Sequence, residues 1–354
     1  MGWGMGRPQL QLLLIAIMAG ATFVSAWVHG NPSVTFVAAA VTVVLLAKVI
    51  GKATEVLAEA LGPSIGALLG ATFGNSVELM IAILALRAGL YTVVKASIIG
   101  SILANLLLTL GVCMFVGGLR RPLQTFNQMK AGLNSVMLFV AVIGLTITSI
   151  YSFSRPRVFS AEPLSIGVSI VFLLVYILGF VFSLFTHRTF LTAADRRPEI
   201  VLPPGFARTV TILLAATVLV ALVSEELVQT LIPLTIQWRL NEQFVGLVFV
   251  PLIGVAPEFF SAILLARANR MDGSVEIAVG SSLQIALFVA PVLVLVGALS
   301  GRPLTLVFTG TEVVVIFLTT ILVSLVSLDG ESHWYEGVMV VATYAIFAMM
   351  FFFS

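Results

Sequence analysis

The amino-acid sequence predicts an all-α polytopic membrane protein with eleven transmembrane helices: one extra N-terminal helix and two inverted five-helix repeats. Three observations lead to this fold class: an apolar composition, eleven long apolar segments, and a similarity between the two halves of the chain. Of the 354 residues, 60% are hydrophobic and only 10% are charged. A soluble domain carries roughly 25% charged residues. This chain has too few charges to cover a water-facing surface, so we expect lipid around it.

The apolar segments are long enough to cross a bilayer, since a spanning helix needs about 20 predominantly apolar residues. None alternates apolar and polar residues as a barrel strand does, so we predict helices. The first segment follows Arg7 and resembles a signal peptide, but its apolar stretch is longer than usual for one, so we predict a retained helix. The segments cover approximately residues 9–28, 33–53, 65–88, 92–117, 131–151, 164–186, 207–229, 243–268, 274–298, 304–326 and 334–353.

The chain resembles itself when positions 66–107 are aligned with positions 246–287. Twelve of the 42 positions from 66 to 107 are then identical without a gap, where chance in so apolar a sequence gives roughly three or four. Matches at Glu, Arg, Gly and Ser are the informative ones, because shared leucines are common here. The pairs include Gly66 with Gly246, Gly74 with Gly254, Glu78 with Glu258, Arg87 with Arg267, Gly100 with Gly280, and Ser101 with Ser281.

Each copy of the repeat contains five predicted helices. Because five is odd, the second copy enters the membrane from the opposite side, which is the inverted repeat of many secondary transporters. We predict an N-terminal helix (1–30), a first repeat (31–188), a polar linker (189–206) and a second repeat (207–354). Twelve of the 18 Lys and Arg residues fall on the side of the N-terminus. The positive-inside rule therefore predicts a cytoplasmic N-terminus and an external C-terminus.

Two acidic residues, Glu78 and Glu258, lie near the middle of their predicted spans and at equivalent positions of the two repeats. A charged carboxylate at the bilayer centre costs about 2.5 kcal/mol or more, even on the most lenient scale. Two such residues at symmetric positions are difficult to explain as accident. We therefore predict that this pair forms the centre of the functional site and binds the metal ion.

The residues just before each glutamate are expected to break the helix. Gly74 and Asn75 are poor helix formers inside an apolar span. In the second repeat, Pro257 follows Gly254 and cannot donate a hydrogen bond to the carbonyl of Ile253. Carbonyls freed at membrane depth are tolerated only where they face protein, water or an ion. The breaks are therefore predicted to supply backbone oxygens to the site.

The following helix of each repeat supplies further oxygen atoms. Ser101 and Asn105 lie one turn apart on one helix face, and Ser281 and Gln284 occupy the corresponding level of the second repeat. Carboxylate, amide, hydroxyl and carbonyl oxygens are hard ligands, which suit Ca²⁺, or Na⁺ with fewer charges, rather than Zn²⁺ or Cu²⁺. Two carboxylates carry a charge of −2, which one Ca²⁺ or two protons neutralise. Alternation between these occupants would couple cation movement to proton movement.

Further acids are candidates for the entrances to this site. Glu55 and Glu59 share one face near the end of the second span, and Glu225 and Glu226 lie near the end of the seventh. They are predicted to attract cations at opposite mouths, with solvated helix ends as the alternative. Glu312 in the tenth span is left without a predicted role.

Three stretches of the sequence carry recognisable motifs: GNSVEL at 74–79, KASIIGSILANLL at 95–107 and GSSLQI at 280–285. They resemble the repeat motifs of the Ca²⁺/H⁺ exchanger (CAX) family of the cation/Ca²⁺ exchanger superfamily. The resemblance implies that Glu78 and Glu258 bind cation and proton in turn. It also implies a site lined by Asn75, Ser101, Asn105, Ser281 and Gln284.

The second repeat departs from that family pattern. Residues 254–259 read Gly-Val-Ala-Pro-Glu-Phe, where the family usually has Gly-Asn-Ala-Ala-Glu-His. The carboxylate is kept and one amide ligand is lost, which leaves the choice between Ca²⁺ and Na⁺ open.

The sequence thus predicts a secondary active Ca²⁺/H⁺ antiporter that extrudes Ca²⁺ by alternating access, and not an enzyme. The alternatives are a Na⁺ or K⁺/H⁺ antiporter on the same scaffold and an uncoupled cation channel. We expect no cofactor besides the transported Ca²⁺ and H⁺. The net charge of +2 does not favour nucleic acid as a partner. The apolar composition predicts a lipid bilayer as the surroundings, and the resemblance to a minimal form of the family implies a prokaryotic cell membrane. The oligomeric state is left open.

Overall fold

The computed structural model describes residues 7–28, 30–154, 160–182 and 205–354. All but the last two positions of the predicted linker (189–206) lie outside the described residues. Within them, a two-residue strand pair, β1 (Gln124–Thr125) and β2 (Glu331–Ser332), accompanies thirteen helices. The helices are α1 (Arg7–Trp27), α2 (Pro32–Leu61), α3 (Pro63–Phe73), α4 (Ser76–Arg87), α5 (Tyr91–Gly118), α6 (Gln128–Ser154), α7 (Ala161–Val181), α8 (Phe206–Trp238), α9 (Glu242–Gly254), α10 (Ala256–Arg267), α11 (Met271–Leu299), α12 (Gly310–Val326) and α13 (Trp334–Phe352).

Seven of the described helices are long and apolar enough to cross a membrane: α2, α5, α6, α7, α8, α11 and α13. Helices α9 and α10 meet at a bend of 57° and form an eighth candidate together. Shorter apolar helices occur at Gln11–Trp27 and Gly310–Val326. The predicted class, a helical polytopic membrane protein, is confirmed, and the count of eleven spans stays a prediction.

The centre of the molecule is built around α5. In its most apolar stretch, 83% of the residues are buried inside the protein, against 17% for α7, where Ile170, Leu174 and Ile177 are exposed. Glycines bring α5 and α9 into backbone contact: a Cβ on Gly100 would collide with the carbonyl group of Leu247. A Cβ on Gly246 would lie 2.8 Å from the carbonyl oxygen of Val93. The two halves of the chain therefore meet along this glycine contact.

Three helices contain a π-helical segment, a form that is rare and often occurs at functional sites. The segments are Ala104–Thr109 in α5, Val245–Phe249 in α9 and Ile285–Val289 in α11. The first and third occupy equivalent places in the sequence repeat, because Asn105 aligns with Ile285. The segment in α5 includes Asn105, and the segment in α11 follows directly after Gln284. Both residues were predicted to line the site.

The tenth predicted span begins later than expected. Residues 302–309 form neither helix nor strand, and α12 starts at Gly310 instead of residue 304. A capping box fixes this start: the backbone N–H of Thr309 donates to a carboxylate oxygen of Glu312 at 2.8 Å, and the N–H of Glu312 donates to the Thr309 hydroxyl at 3.3 Å. The apolar pattern misled the prediction because Leu304, Leu306 and Phe308 are buried without being helical.

The seventh predicted span ends later than expected. Helix α8 continues to Trp238 rather than stopping near residue 229. Its buried side chains Leu227, Leu231 and Leu234 keep the three-to-four residue spacing of a helix face across the polar residues in between. As a result, Glu225 and Glu226 lie well inside the helix and not near its end.

Candidate cation site

Glu78 lies at a break between two helices. Helix α3 ends at Phe73, Gly74 and Asn75 form a turn, and α4 begins at Ser76. This places Glu78 in the first turn of α4. Both of its carboxylate oxygens are shielded from solvent. The break predicted from Gly74 and Asn75 is therefore present, and it brings a helix N-terminus to the carboxylate.

Glu258 occupies the equivalent place in the second half. Helix α9 ends at Gly254, a turn at Val255 follows, and α10 begins at Ala256 with Pro257 in its first turn. Glu258 is the third residue of α10, as Glu78 is the third residue of α4. A proline fits here because the N–H groups of a first helical turn have no partner within the helix. Each carboxylate thus faces the partial positive charge of a helix N-terminus.

The two acidic residues belong to one site. A Cβ on Gly254 would lie 2.8 Å from Cγ of Glu78 and 3.2 Å from its carboxyl carbon and Oε1. The Glu78 carboxylate is therefore packed against the helix break four residues before Glu258. The structure brings the symmetric pair together across the two halves.

An amide pair joins the same break to α11. The side-chain amide of Asn75 donates to Oε1 of Gln284. A Cβ on Gly74 would lie 3.8 Å from that same oxygen. Of the residues predicted to line the site, Asn75 and Gln284 therefore contact each other beside Glu78.

The remaining predicted residues are buried around this centre. Ser101 and Asn105 on α5, Ser281 on α11 and Ile253 on α9 expose less than a tenth of their surface. Pro257 lacks the N–H that would pair with the carbonyl of Ile253 in a continuous helix. No hydrogen bond among the described residues joins Ser101, Asn105 or Ser281 to either carboxylate, so their part in ion binding stays a prediction.

Several buried polar atoms near the break have no hydrogen-bond partner among the described residues. They include Oδ1 of Asn75, both carboxylate oxygens of Glu78, Oε2 of Glu258 and both amide atoms of Asn105. Leaving such an atom unpaired costs about 1–3 kcal/mol, and more for a charged group. A cluster of oxygen atoms with this unmet capacity suits a hard cation or protons as its occupants.

A cavity of about 550 Å³, which we call the vestibule, leads toward this site between α6, α7 and α11. Its lining includes Asp272 and Glu276 in the first two turns of α11, and Gln284 on the same helix about 18 Å from Asp272. Asp272 and Glu276 are exposed, and Lys130 approaches Glu276 at 3.8 Å. The vestibule therefore runs from an acidic mouth to the residue that contacts Asn75.

The acids predicted at the entrances lie elsewhere. Glu55 and Glu59 are exposed near the end of α2, and Glu225 is exposed on α8. Glu226 lines a separate cavity beside Trp27 of α1. None of the four lines the vestibule, so their entrance role stays a prediction. Glu312 is buried and caps α12.

Sequence reasoning missed the acids of the vestibule mouth. Asp272 and Glu276 lie four residues apart on one helix face, the same spacing that drew attention to Glu55 and Glu59. They were overlooked because they sit at the polar start of a predicted span, where charged residues are ordinary. Only the packing of α11 against α6 and α7 reveals that they surround a cavity.

Two broken helices that meet at membrane depth with paired acids are features of secondary cation transporters. A family model described as sodium/calcium exchanger protein matches residues 32–185 and 208–353. The chain belongs to this family, and the resemblance noted in the sequence is confirmed.

Curated relatives resemble the chain over nearly its whole length. It is 41% identical over 344 residues to the Ca²⁺/H⁺ antiporter ChaA of Bacillus subtilis (strain 168), covering 96% of this chain and 98% of that one. It is 36% identical over 351 residues to the vacuolar calcium ion transporter of Schizosaccharomyces pombe, covering 97% and 84%.

Solved structures agree with this assignment. The structure of native YfkE superposes with a TM-score of 0.84 at 37% identity, covering 97% of this chain and 100% of that one. The crystal structure of the H⁺/Ca²⁺ exchanger CAX superposes with a TM-score of 0.69 at 17% identity, covering 99% and 93%, and so shows a shared fold.

Proposed function

We propose that the protein is a secondary active antiporter that extrudes Ca²⁺ in exchange for protons, and that it is not an enzyme. The observation that carries this proposal is the contact between Glu78 and the helix break at Gly254. It unites two membrane-embedded carboxylates in one oxygen-lined site. The antiporter relatives and the fold shared with YfkE support the same activity.

The chemistry of the site follows from charge balance. With a proton on each carboxylate, Glu78 and Glu258 are neutral and can donate hydrogen bonds to nearby oxygens. Ca²⁺ arriving from the vestibule brings two positive charges and displaces both protons, so the site is neutral again. Oxygens of Asn75, Gln284 and the carbonyl of Ile253 are proposed to complete the ligand set, with Ser101, Asn105 and Ser281 around them. Both the protonated and the Ca²⁺-bound protein can change conformation, because neither state has an uncompensated charge in the low-dielectric interior.

The architecture proposed for this cycle is the predicted one: eleven helices, with an extra helix (1–30) and two inverted repeats (31–188 and 207–354) around a linker. Two separate matches to one family model support two copies of one unit. The paired breaks and two of the π-helical segments, which fall at equivalent places in the two halves, support it as well. We further propose a prokaryotic cell membrane as the location, with the N-terminus cytoplasmic and the C-terminus external.

This orientation places the vestibule on the cytoplasmic side. Its lining comes from the start of α6, the end of α7 and the start of α11, which are cytoplasmic ends in the proposed topology. Ca²⁺ would then enter from the cytoplasm and leave on the opposite face.

A Na⁺/H⁺ antiporter is the second candidate, and one observation favours it. Val255 stands where the second motif of the family usually has Asn, so the second half offers one fewer oxygen ligand to a divalent ion. A site with fewer charged or amide ligands is better suited to a monovalent ion.

Reconstitution into liposomes with an imposed pH gradient tests the proposal. Uptake of Ca²⁺ and of Na⁺ is followed separately, together with the internal pH. We expect Ca²⁺ accumulation that dissipates the pH gradient. Accumulation of Na⁺ without Ca²⁺ would support the second candidate, and Ca²⁺ flux without proton counterflow would indicate a channel.

A further inference from the structure

The non-helical residues 302–309, which we call the outer segment, lie at the end of the molecule away from the vestibule. Ser149 near the end of α6 accepts a hydrogen bond from the N–H of Phe308 at 2.7 Å, and Ser165 near the start of α7 accepts one from the N–H of Leu306 at 3.0 Å. Lys130, at the vestibule mouth, precedes Ser149 on α6 by about 28 Å along the helix. The same helices therefore hold the vestibule at one end and the outer segment at the other.

The apolar side chains of the outer segment are buried, although the segment itself is neither helix nor strand. Leu304, Leu306 and Phe308 are at most 2% exposed. Side chains bind several of its groups: besides the two serines, Lys95 of α5 donates to the carbonyl oxygen of Val307 at 2.9 Å and to the hydroxyl of Thr305 at 3.1 Å. Non-helical backbone inside a membrane protein is tolerated where protein groups complete its hydrogen bonds.

A matching segment lies beside the vestibule. The triplet Arg-Pro-Leu occurs at 121–123 and again at 302–304, nearly the repeat spacing. In the first copy Leu123 is 41% exposed, whereas its counterpart Leu304 is 1% exposed. Phe126 and Asn127, which follow the first triplet, line the vestibule. The first copy thus contributes residues to the vestibule wall, whereas the second copy is packed at Leu304, Leu306 and Phe308.

The sequence repeat relates the outer segment to the wall of the vestibule. Residues that line the vestibule include Phe126, Asn127 and Val275. In the alignment that pairs Glu78 with Glu258, their counterparts are in turn Leu306, Val307 and Lys95. The register of the Arg-Pro-Leu triplets is one residue longer and pairs Val307 with Phe126, which also lines the vestibule. The Lys95–Val307 hydrogen bond therefore joins the two positions that stand on the walls of the vestibule in the other half.

We propose that the outer segment is the seal of the cation site on the face opposite the vestibule, and that Lys95 is the positioning residue that holds it closed. Release of Lys95 from Val307 and Thr305 opens the second access route, while the segment at 121–127 closes the vestibule. This seal rests on the proposed antiport function, because only a site with alternating access needs two seals.

Cysteine labelling tests the seal. The single native cysteine, Cys113, is first replaced by alanine. Asn127→Cys and Val307→Cys are then made separately, and the latter keeps the backbone oxygen that Lys95 binds. An impermeant maleimide is added to each face of the membrane in turn, using intact cells and inverted vesicles. We expect rapid labelling of Asn127→Cys from the vestibule face and slow labelling of Val307→Cys from both faces.

Loss of the lysine should open the seal. Adding Lys95→Met to Val307→Cys should accelerate labelling from the opposite face by about tenfold, because a charged donor with two hydrogen bonds is lost. Lys95→Arg should restore slow labelling, and Ser165→Ala, a milder change, should give a smaller acceleration. The matched control is Lys48→Met on the exposed side of α2, which should change nothing.

Equal labelling of Val307→Cys with and without the Lys95→Met change, or labelling from the vestibule face, would overturn the seal. The readout needs no ion transport. Labelling that follows the expected pattern in a chain that fails to exchange Ca²⁺ for protons would therefore refute the proposed cation and retain the seal.

Discussion

At the residue scale, Glu78 and Glu258 are defined by where their helices begin. Each is the third residue of a helix that starts at a break in the span, where the partial charge of the N-terminus is roughly +0.5 of an elementary charge. This charge stabilises a carboxylate that has left bulk water. A carboxylate held in this way can remain charged around Ca²⁺ and can still accept a proton when the cation leaves.

The first prediction concerns these carboxylates. Glu78→Gln and Glu258→Gln keep side-chain size but remove both charge and proton exchange. Each change should lower Ca²⁺/H⁺ exchange at least about 100-fold, which corresponds to about 2.7 kcal/mol. Flux in liposomes is the measurement, with the size-exclusion profile as the control for folding. Coupled exchange retained by either variant would remove that residue from the mechanism.

The second prediction concerns Gly254. An added Cβ would lie 2.8 Å from Cγ of Glu78, so Gly254→Ala should push this flexible side chain away from the break. Overpacking of this kind costs about 1–3 kcal/mol, and we expect the apparent affinity for Ca²⁺ to fall about tenfold.

Gly167→Ala on α7 is the matched control, because a Cβ there meets no atom within 4 Å. Binding isotherms of Ca²⁺ to the purified variants provide the comparison. Equal affinities for the Gly254 and Gly167 variants would contradict the packing of Glu78 on the break.

At the element scale, helix breaks and acids were predictable, and cavities were not. Gly74, Asn75 and Pro257 reveal the breaks because their backbone chemistry is local. The contact of Glu78 with Gly254 was outside the reach of sequence reasoning, since it depends on how α4 packs against α9. The outer segment was predicted as helix because its buried leucines have the composition of a span, while its structure depends on Ser149, Ser165 and Lys95 far away in sequence.

The third prediction separates two sets of entrance acids. Glu276 lies at the mouth of the vestibule and Glu59 does not. Glu276→Gln should lower the initial rate of Ca²⁺ entry from the vestibule side several-fold at low ionic strength, because a local negative charge raises the encounter rate of a cation. The difference should shrink at high salt, where exposed charges are screened.

Glu59→Gln is the matched control, since it removes the same charge from an exposed helix end. Initial rates in inverted vesicles at two salt concentrations are the measurement. A slower rate in the Glu59 variant alone would contradict an entrance at the vestibule and support one at the end of α2.

At the scale of the whole molecule, the two halves play unequal parts in one conformation. The vestibule reaches Gln284 from one end, while the outer segment is packed at the other. The proposed inverted repeat accounts for this asymmetry, because exchanging the conformations of its two halves opens the opposite face. The sequence repeat predicted two equivalent halves, but not which of them is open, since that choice depends on packing differences between nearly identical elements.

Proton release on cation binding tests the central claim most directly. Ca²⁺ is added to the purified protein in weakly buffered detergent, and the released protons are followed with a pH indicator. We expect release that saturates with Ca²⁺ binding and disappears in the Glu78→Gln, Glu258→Gln double variant. Ca²⁺ binding by the unmodified protein without proton release, or equal release from the double variant, would contradict a shared site for the two ions.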